Sequence, residues 1–131
     1  MAAARGRGSQ RGSAIADFAL VSVVLIPLFF GVLQLALIWH VKTTLTSAAA
    51  EGARYGASYN RSPVDGQHRT EGVIAANFGA SLHDSVSASQ RRSAGYEVVE
   101  VSVVADVPTL GFWGPTVTLT VRGHAINEYL P

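Results

Sequence analysis

Asp17 is the carboxylate that borders a long apolar run: from Phe18 to Trp39, 22 residues pass without an Asp, Glu, Lys, Arg or His. An acid at the edge of such a run opposes insertion into lipid, and ionisable groups placed there are functional candidates. A carboxylate near a helix N-terminus is also favoured by the macrodipole, so a purely local reading stands beside the functional one. Other side chains offer less chemistry. His40, His68, His83 and His124 form no HxxxH or HExxH pair, which leaves no histidine-based metal site. There is no cysteine, which excludes a disulfide framework, a thiolate zinc site and a cysteine nucleophile. No Gly-x-Ser-x-Gly string gives the many serines a nucleophile elbow. Gly6-Arg7-Gly8 precedes any strand and is not a phosphate-binding loop. The sequence therefore points away from an enzyme, a cofactor, a metal and a small-molecule substrate. Its net charge of +1 creates no field that would draw nucleic acid.

The element that positions Asp17 is the apolar run itself. A helix over Phe18–Trp39 is about 33 Å long, enough to cross a hydrocarbon core of ~30 Å. Leu, Ile, Val and Phe fill 15 of these positions and together favour insertion by about 4.5 to 9 kcal/mol. Pro27 removes one backbone donor and Gly31 follows a turn later, which predicts a kink. The run exceeds the roughly 7–15 residues of a signal-peptide core, so it reads as a retained anchor. Arg5, Arg7 and Arg11 precede it, against Lys42 and Arg54 soon after. The positive-inside rule then predicts a single-pass protein of the cell membrane, N-terminus cytoplasmic and C-terminal part outside.

Two stretches carry a family resemblance. The string RGSAIADFALV, from Arg11 to Val21, resembles the prepilin-peptidase recognition region of type IV pilins and pseudopilins, with a basic leader, a Gly, an acid five residues on and an apolar helix. The acid is Asp where such proteins usually carry Glu. The string LTSAAAEGARYGA, Leu45 to Ala57, resembles the Ala-rich EGAR segment of TadE-like proteins, minor pseudopilins of tight-adherence (Tad) pilus systems. The resemblance covers residues 11–57. It implies cleavage by a membrane prepilin peptidase between Gly12 and Ser13. It gives Asp17 an assembly role, in which the acid meets the free amino terminus of a neighbouring subunit. The implied partners are the lipid bilayer, the peptidase, other pilus or pseudopilin subunits and the Tad membrane platform. Loss of the leader would remove three of the 10 basic residues and shift the formal charge from +1 to −2.

Beyond the span, His40 to Tyr59 contains no proline and much alanine, so the helix is expected to continue. Ala49, Gly52, Ala53 and Gly56 form a stripe of small residues, with Gly52-x-x-x-Gly56 matching a close-approach motif. The stripe serves either packing against the chain's own domain or a partner helix. Glu51 and Arg54 stand at i and i+3 and read as a solvated ion pair.

Asn60 to Gly66 carries turn chemistry and reads as a loop. Ile74, Phe78 and Leu82 recur every four residues, which predicts a helix over about 69–83. Ser85 to Gly95 is polar and serine-rich and reads as a loop. Val99–Val107 and Thr116–Gly123 alternate apolar and polar residues, the pattern of two strands each buried on one face. PTLGFWGP joins them, so an antiparallel hairpin is expected. Phe112 and Trp113 in that connection serve as core cover, or as a membrane-interface or partner contact.

The expectation is an α+β chain. Residues 1–12 form a basic leader, 13–59 the membrane helix with its outward extension, and 60–131 a small extracytoplasmic domain. With about 70 residues that domain encloses only a small core and leans on its own helix or on other subunits. The leading function is a TadE-like minor pseudopilin. The alternative is an unprocessed, membrane-anchored binding or accessory protein.

Overall fold

The structure, a computed structural model, describes residues 6–110 and 116–127. Its elements are helix α1 (Gly6–Ala57), helix α2 (Pro63–Phe78), a single 3-10 turn (Gly79–Ser81), and strands β1 (His83–Ser93), β2 (Tyr96–Val107) and β3 (Val117–Ile126). The chain is α+β, a long apolar helix followed by a short helix and a three-stranded antiparallel sheet. Contacts divide it into two units, Met1–Leu35 and Ala36–Pro131.

The described part of the first unit is α1 alone. Its helix already includes Gly6 to Arg11, so the described part of the stretch expected to be a leader is helical. Pro27 is accommodated without ending the helix. Ser22 donates its hydroxyl hydrogen to the Phe18 carbonyl at 2.7 Å, which pairs a polar group inside the apolar run without help from outside the helix.

In the second unit, α1 is amphipathic. Val41, Leu45, Ala48, Ala49, Ala53 and Ala57 are buried, six of the fourteen buried apolar residues of the core among the described residues. Their three- and four-residue spacing lays one stripe on the sheet and on α2. The small domain thus completes its core with its own helix.

The turn between the helices places Asn60 at φ 59°, a left-handed conformation that Asn tolerates better than most residues. α2 begins within the stretch expected to be a loop, and it ends at Phe78 rather than near His83. Ser62 and Asp65 account for the start. The Asp65 N–H donates to the Ser62 hydroxyl at 3.3 Å, the Ser62 N–H donates to Asp65 Oδ2 at 2.8 Å, and Pro63 fills the first helical position. That reciprocal pair satisfies donors a helix start leaves open. Gly79, at φ 59°, ends the helix. Leu82 is still buried, but from beyond the 3-10 turn.

The sheet order is β1-β2-β3. β2 and β3 pair as expected, Val103 opposite Val121 and Val107 opposite Val117. Val99, Val101, Val103, Ala105 and Val107 are all buried on the central strand. The serine-rich stretch expected to be a loop is instead β1, paired along its length with β2. Ala94 and Gly95, both at positive φ, make the two-residue turn that fixes this register. Val86 and Ala88 pack against the core between exposed Ser85, Ser87 and Ser89, so β1 obeys the strand alternation with small residues. Phe112 and Trp113 lie outside the described residues.

Candidate functional site

The residues singled out by sequence fall in two places. Gly12, Ser13 and Asp17 lie on α1 in the first unit and are exposed. So are the apolar side chains that follow, among them Phe18, Leu25, Phe30 and Leu35. Among the described residues, α1 is the helix long and apolar enough to cross a membrane, and its most apolar stretch has no buried residue. Such a face is unstable in water and suited to lipid. A single long apolar helix of this kind is that of a single-pass membrane protein.

Ala49, Gly52, Ala53 and Gly56 lie in the second unit, buried. The structure divides them between two neighbours. Gly52 and Gly56 face α2: a β-carbon on Gly52 would strike Thr70 Oγ1 and stand 2.6 Å from the Gly66 carbonyl oxygen, and one on Gly56 would stand 3.3 Å from Gly66 Cα. A β-carbon on Gly66 would in turn lie 2.5 Å from the Gly52 carbonyl oxygen. The helices therefore meet backbone to backbone. Thr70, the buried polar residue of the core, donates to the Gly66 carbonyl at 2.9 Å and carries no unmet hydrogen into the contact. Ala49 faces β3, where a β-carbon on Gly123 would overlap the Ala49 carbonyl group.

Glu51 does not pair with Arg54. Both Nε and Nη2 of Arg69 donate to Glu51 Oε1, at 2.9 and 2.6 Å, linking α1 to α2. The Arg69 and Arg61 guanidiniums stand 5.9 and 4.7 Å from the centre of the Tyr55 ring, within cation–π range. Arg54 is exposed, its side chain among those lining the groove that begins at Trp39. Sequence reasoning missed Gly66, Arg69, Thr70 and Gly123. Gly66-x-x-x-Thr70, a small-residue pair on a helix, was the available signal for the first and third.

Electrostatic shifts lie away from the span. The Ser62 backbone N–H, then its hydroxyl, hold the Asp65 carboxyl below its ordinary value against partial desolvation, with Arg61 and His68 adding to the effect. Glu100 is lowered chiefly by its hydrogen bond to His124 Nε2 at 2.9 Å, with Arg91 and Arg122 assisting. Among the described residues, no group of three or more His, Cys, Asp or Glu could hold a metal ion.

The family model of TadE-like proteins matches residues 12–54. That stretch of the chain is TadE-like. The TadE-like segment begins at Gly12, spans the whole apolar run and ends at Arg54, so it takes in Asp17, Glu51 and Gly52 but not α2 or the sheet. No curated protein and no solved structure matches the chain. The TadE-like segment and the long apolar helix together fit a membrane protein related to Tad pilus systems.

Proposed function

We propose that the chain is a minor pseudopilin, a non-enzymatic component of a Tad-type pilus or secretion assembly, cut by a prepilin peptidase between Gly12 and Ser13. The observation that carries this reading is the TadE-like match, which starts at Gly12 itself and continues through the span. Gly12 and Ser13 are exposed, and a β-carbon on Gly12 would meet nothing within 4 Å. Glycine is the poorest helix former after proline, so the turn at Gly12 opens at least cost to enter a protease cleft as extended chain. Asp17, exposed on the turn after the new terminus, is the acid that would meet the amino group of Ser13 on an adjacent subunit. In a poorly hydrated site, that pairing offsets part of the desolvation of both charges.

Co-expression with an active prepilin peptidase, followed by mass spectrometry of membrane-extracted protein, tests the cut. Ser13 is the expected mature terminus, and an intact Met1–Gly12 leader returns the chain to the unprocessed-anchor reading. Asp17→Ala should be inserted and cleaved like the parent, yet lose co-purification with other pilus subunits. Asp17→Glu should retain it. A reporter active only outside the cytoplasm, fused after Pro131, should be active if three arginines before the span hold the N-terminus inside.

A further inference from the structure

We propose that Trp39 and Lys42 form a lipid-headgroup contact at the end of the span, the indole at the level of the acyl carbonyls and the ammonium on a phosphate, with preference for anionic lipid. The proposal rests on the membrane reading of α1 and adds to it the place where the bilayer ends and the chemistry that meets it.

At this level α1 has two unlike sides. Leu37, Ile38 and Val41 turn inward and pack in the core of the second unit. Trp39 is 74% exposed, the same as Phe18 at the far end of the apolar run. Lys42 is exposed three residues on, hence on the same side of the helix. A shallow groove begins at these two and runs along Thr43, Thr46 and Ser47 toward Arg54. Thr43 spends its hydroxyl hydrogen on the Trp39 carbonyl at 2.9 Å, and Thr46 on the Lys42 carbonyl at 2.7 Å. At the Trp39 end of the groove the donors left facing outward are the Lys42 ammonium and the indole N–H, with the Ser47 hydroxyl and the Arg54 guanidinium further along. Among the described residues, no carboxylate pairs with Lys42. An indole beside an unopposed ammonium and no acid suits a phosphodiester at a water–lipid boundary.

Length selects the membrane as the source of that phosphate. A ~30 Å hydrocarbon core takes about 20 helical residues, which from Phe18 ends beside Trp39. Lys42 then falls in the headgroup layer. Arg54, 12 residues further and about 18 Å along the helix, lies beyond it.

The test uses the full chain with Trp113→Phe, so that Trp39 is the single indole, in vesicles of phosphatidylcholine and phosphatidylglycerol. Lipids brominated near the carbonyls should quench Trp39 more than lipids brominated near the chain ends. Brominated phosphatidylglycerol should quench in preference to brominated phosphatidylcholine, and Lys42→Gln should cut that preference roughly fivefold. Arg54→Gln should leave it unchanged. Trp39 unquenched by either lipid, or a preference indifferent to Lys42→Gln, overturns the contact. A second chain with Leu28→Trp, Trp39→Phe and Trp113→Phe separates the two readings. If Trp at position 28 is quenched by deeply brominated lipid while Trp39 is not, the headgroup contact alone fails. If it too is unquenched, the membrane reading fails with it.

Discussion

The side-chain oxygen of Thr70 occupies the space where a β-carbon at position 52 would stand. Gly52 is therefore fixed by its neighbour. Gly52→Ala gains up to about 1 kcal/mol in helix propensity but must displace Thr70 and a backbone carbonyl. Overpacking of this kind costs about 1–3 kcal/mol or more. Net destabilisation is expected in thermal or denaturant unfolding. Adding Thr70→Ala should restore only part of it, because the Gly66 carbonyl remains 2.6 Å from the new atom. Gly72→Ala is the control. That glycine is exposed within α2 and its β-carbon would meet nothing within 4 Å, so it should stabilise by roughly 0.5–1 kcal/mol.

The Glu51–Arg69 bridge is short, but both side chains are about half exposed, at 45% and 53%. A double-mutant cycle with Glu51→Gln and Arg69→Gln should give a coupling of only about 0.2–1 kcal/mol, reduced by salt. A larger value would show that the Tyr55 ring and Arg61 act with the pair as a network.

Ser62→Ala removes the cap of α2 and should cost about 1 kcal/mol. It also removes a hydroxyl that stabilises ionised Asp65, though the backbone donor remains. Asp65 loses its proton more readily folded than unfolded. Its contribution is complete above the unfolded carboxylate range, about pH 4, and is lost as pH falls through the lower folded value. The fall in stability below that pH should be shallower in Asp65→Asn, as read by unfolding midpoints across an acid series.

Glu100 sits opposite His124 on the face of the sheet turned away from the core. His124→Gln should move the Glu100 titration upward, measured by side-chain carboxyl NMR, because the hydrogen bond to His124 is the main cause of its lowering. A Glu100 titration that does not move would assign the effect to Arg91 on β1 and Arg122 on β3.

Legibility of the sequence followed how local each signal was. β2 and β3 announce themselves because each presents valines to one buried face. β1 does not, since serine, alanine and arginine have weak strand preference and its pairing is imposed by the Ala94-Gly95 turn and by β2. The start of α2 was written in Ser62-Pro63-x-Asp65, a capping string that reads as loop when only its turn-forming residues are weighed. At the candidate site, the basic N-terminal stretch, the acid and the small residues are visible in order along the chain. Their neighbours are not: Glu51 finds Arg69 and Ala49 finds Gly123 across intervals that no local period encodes.

The contact between Ala49 and Gly123 has a consequence for biogenesis. The Ala49 side of α1 just past the span is closed by β3, so it stays uncovered until β3 has been synthesised and delivered to the same side of the bilayer. A chain interrupted before Val117 lacks Gly123 to cover Ala49 and leaves the β2 edge that pairs with β3 without its partner. A side chain at position 123 would therefore hold the late-made strand off the early-made helix, because its β-carbon would overlap the Ala49 carbonyl group.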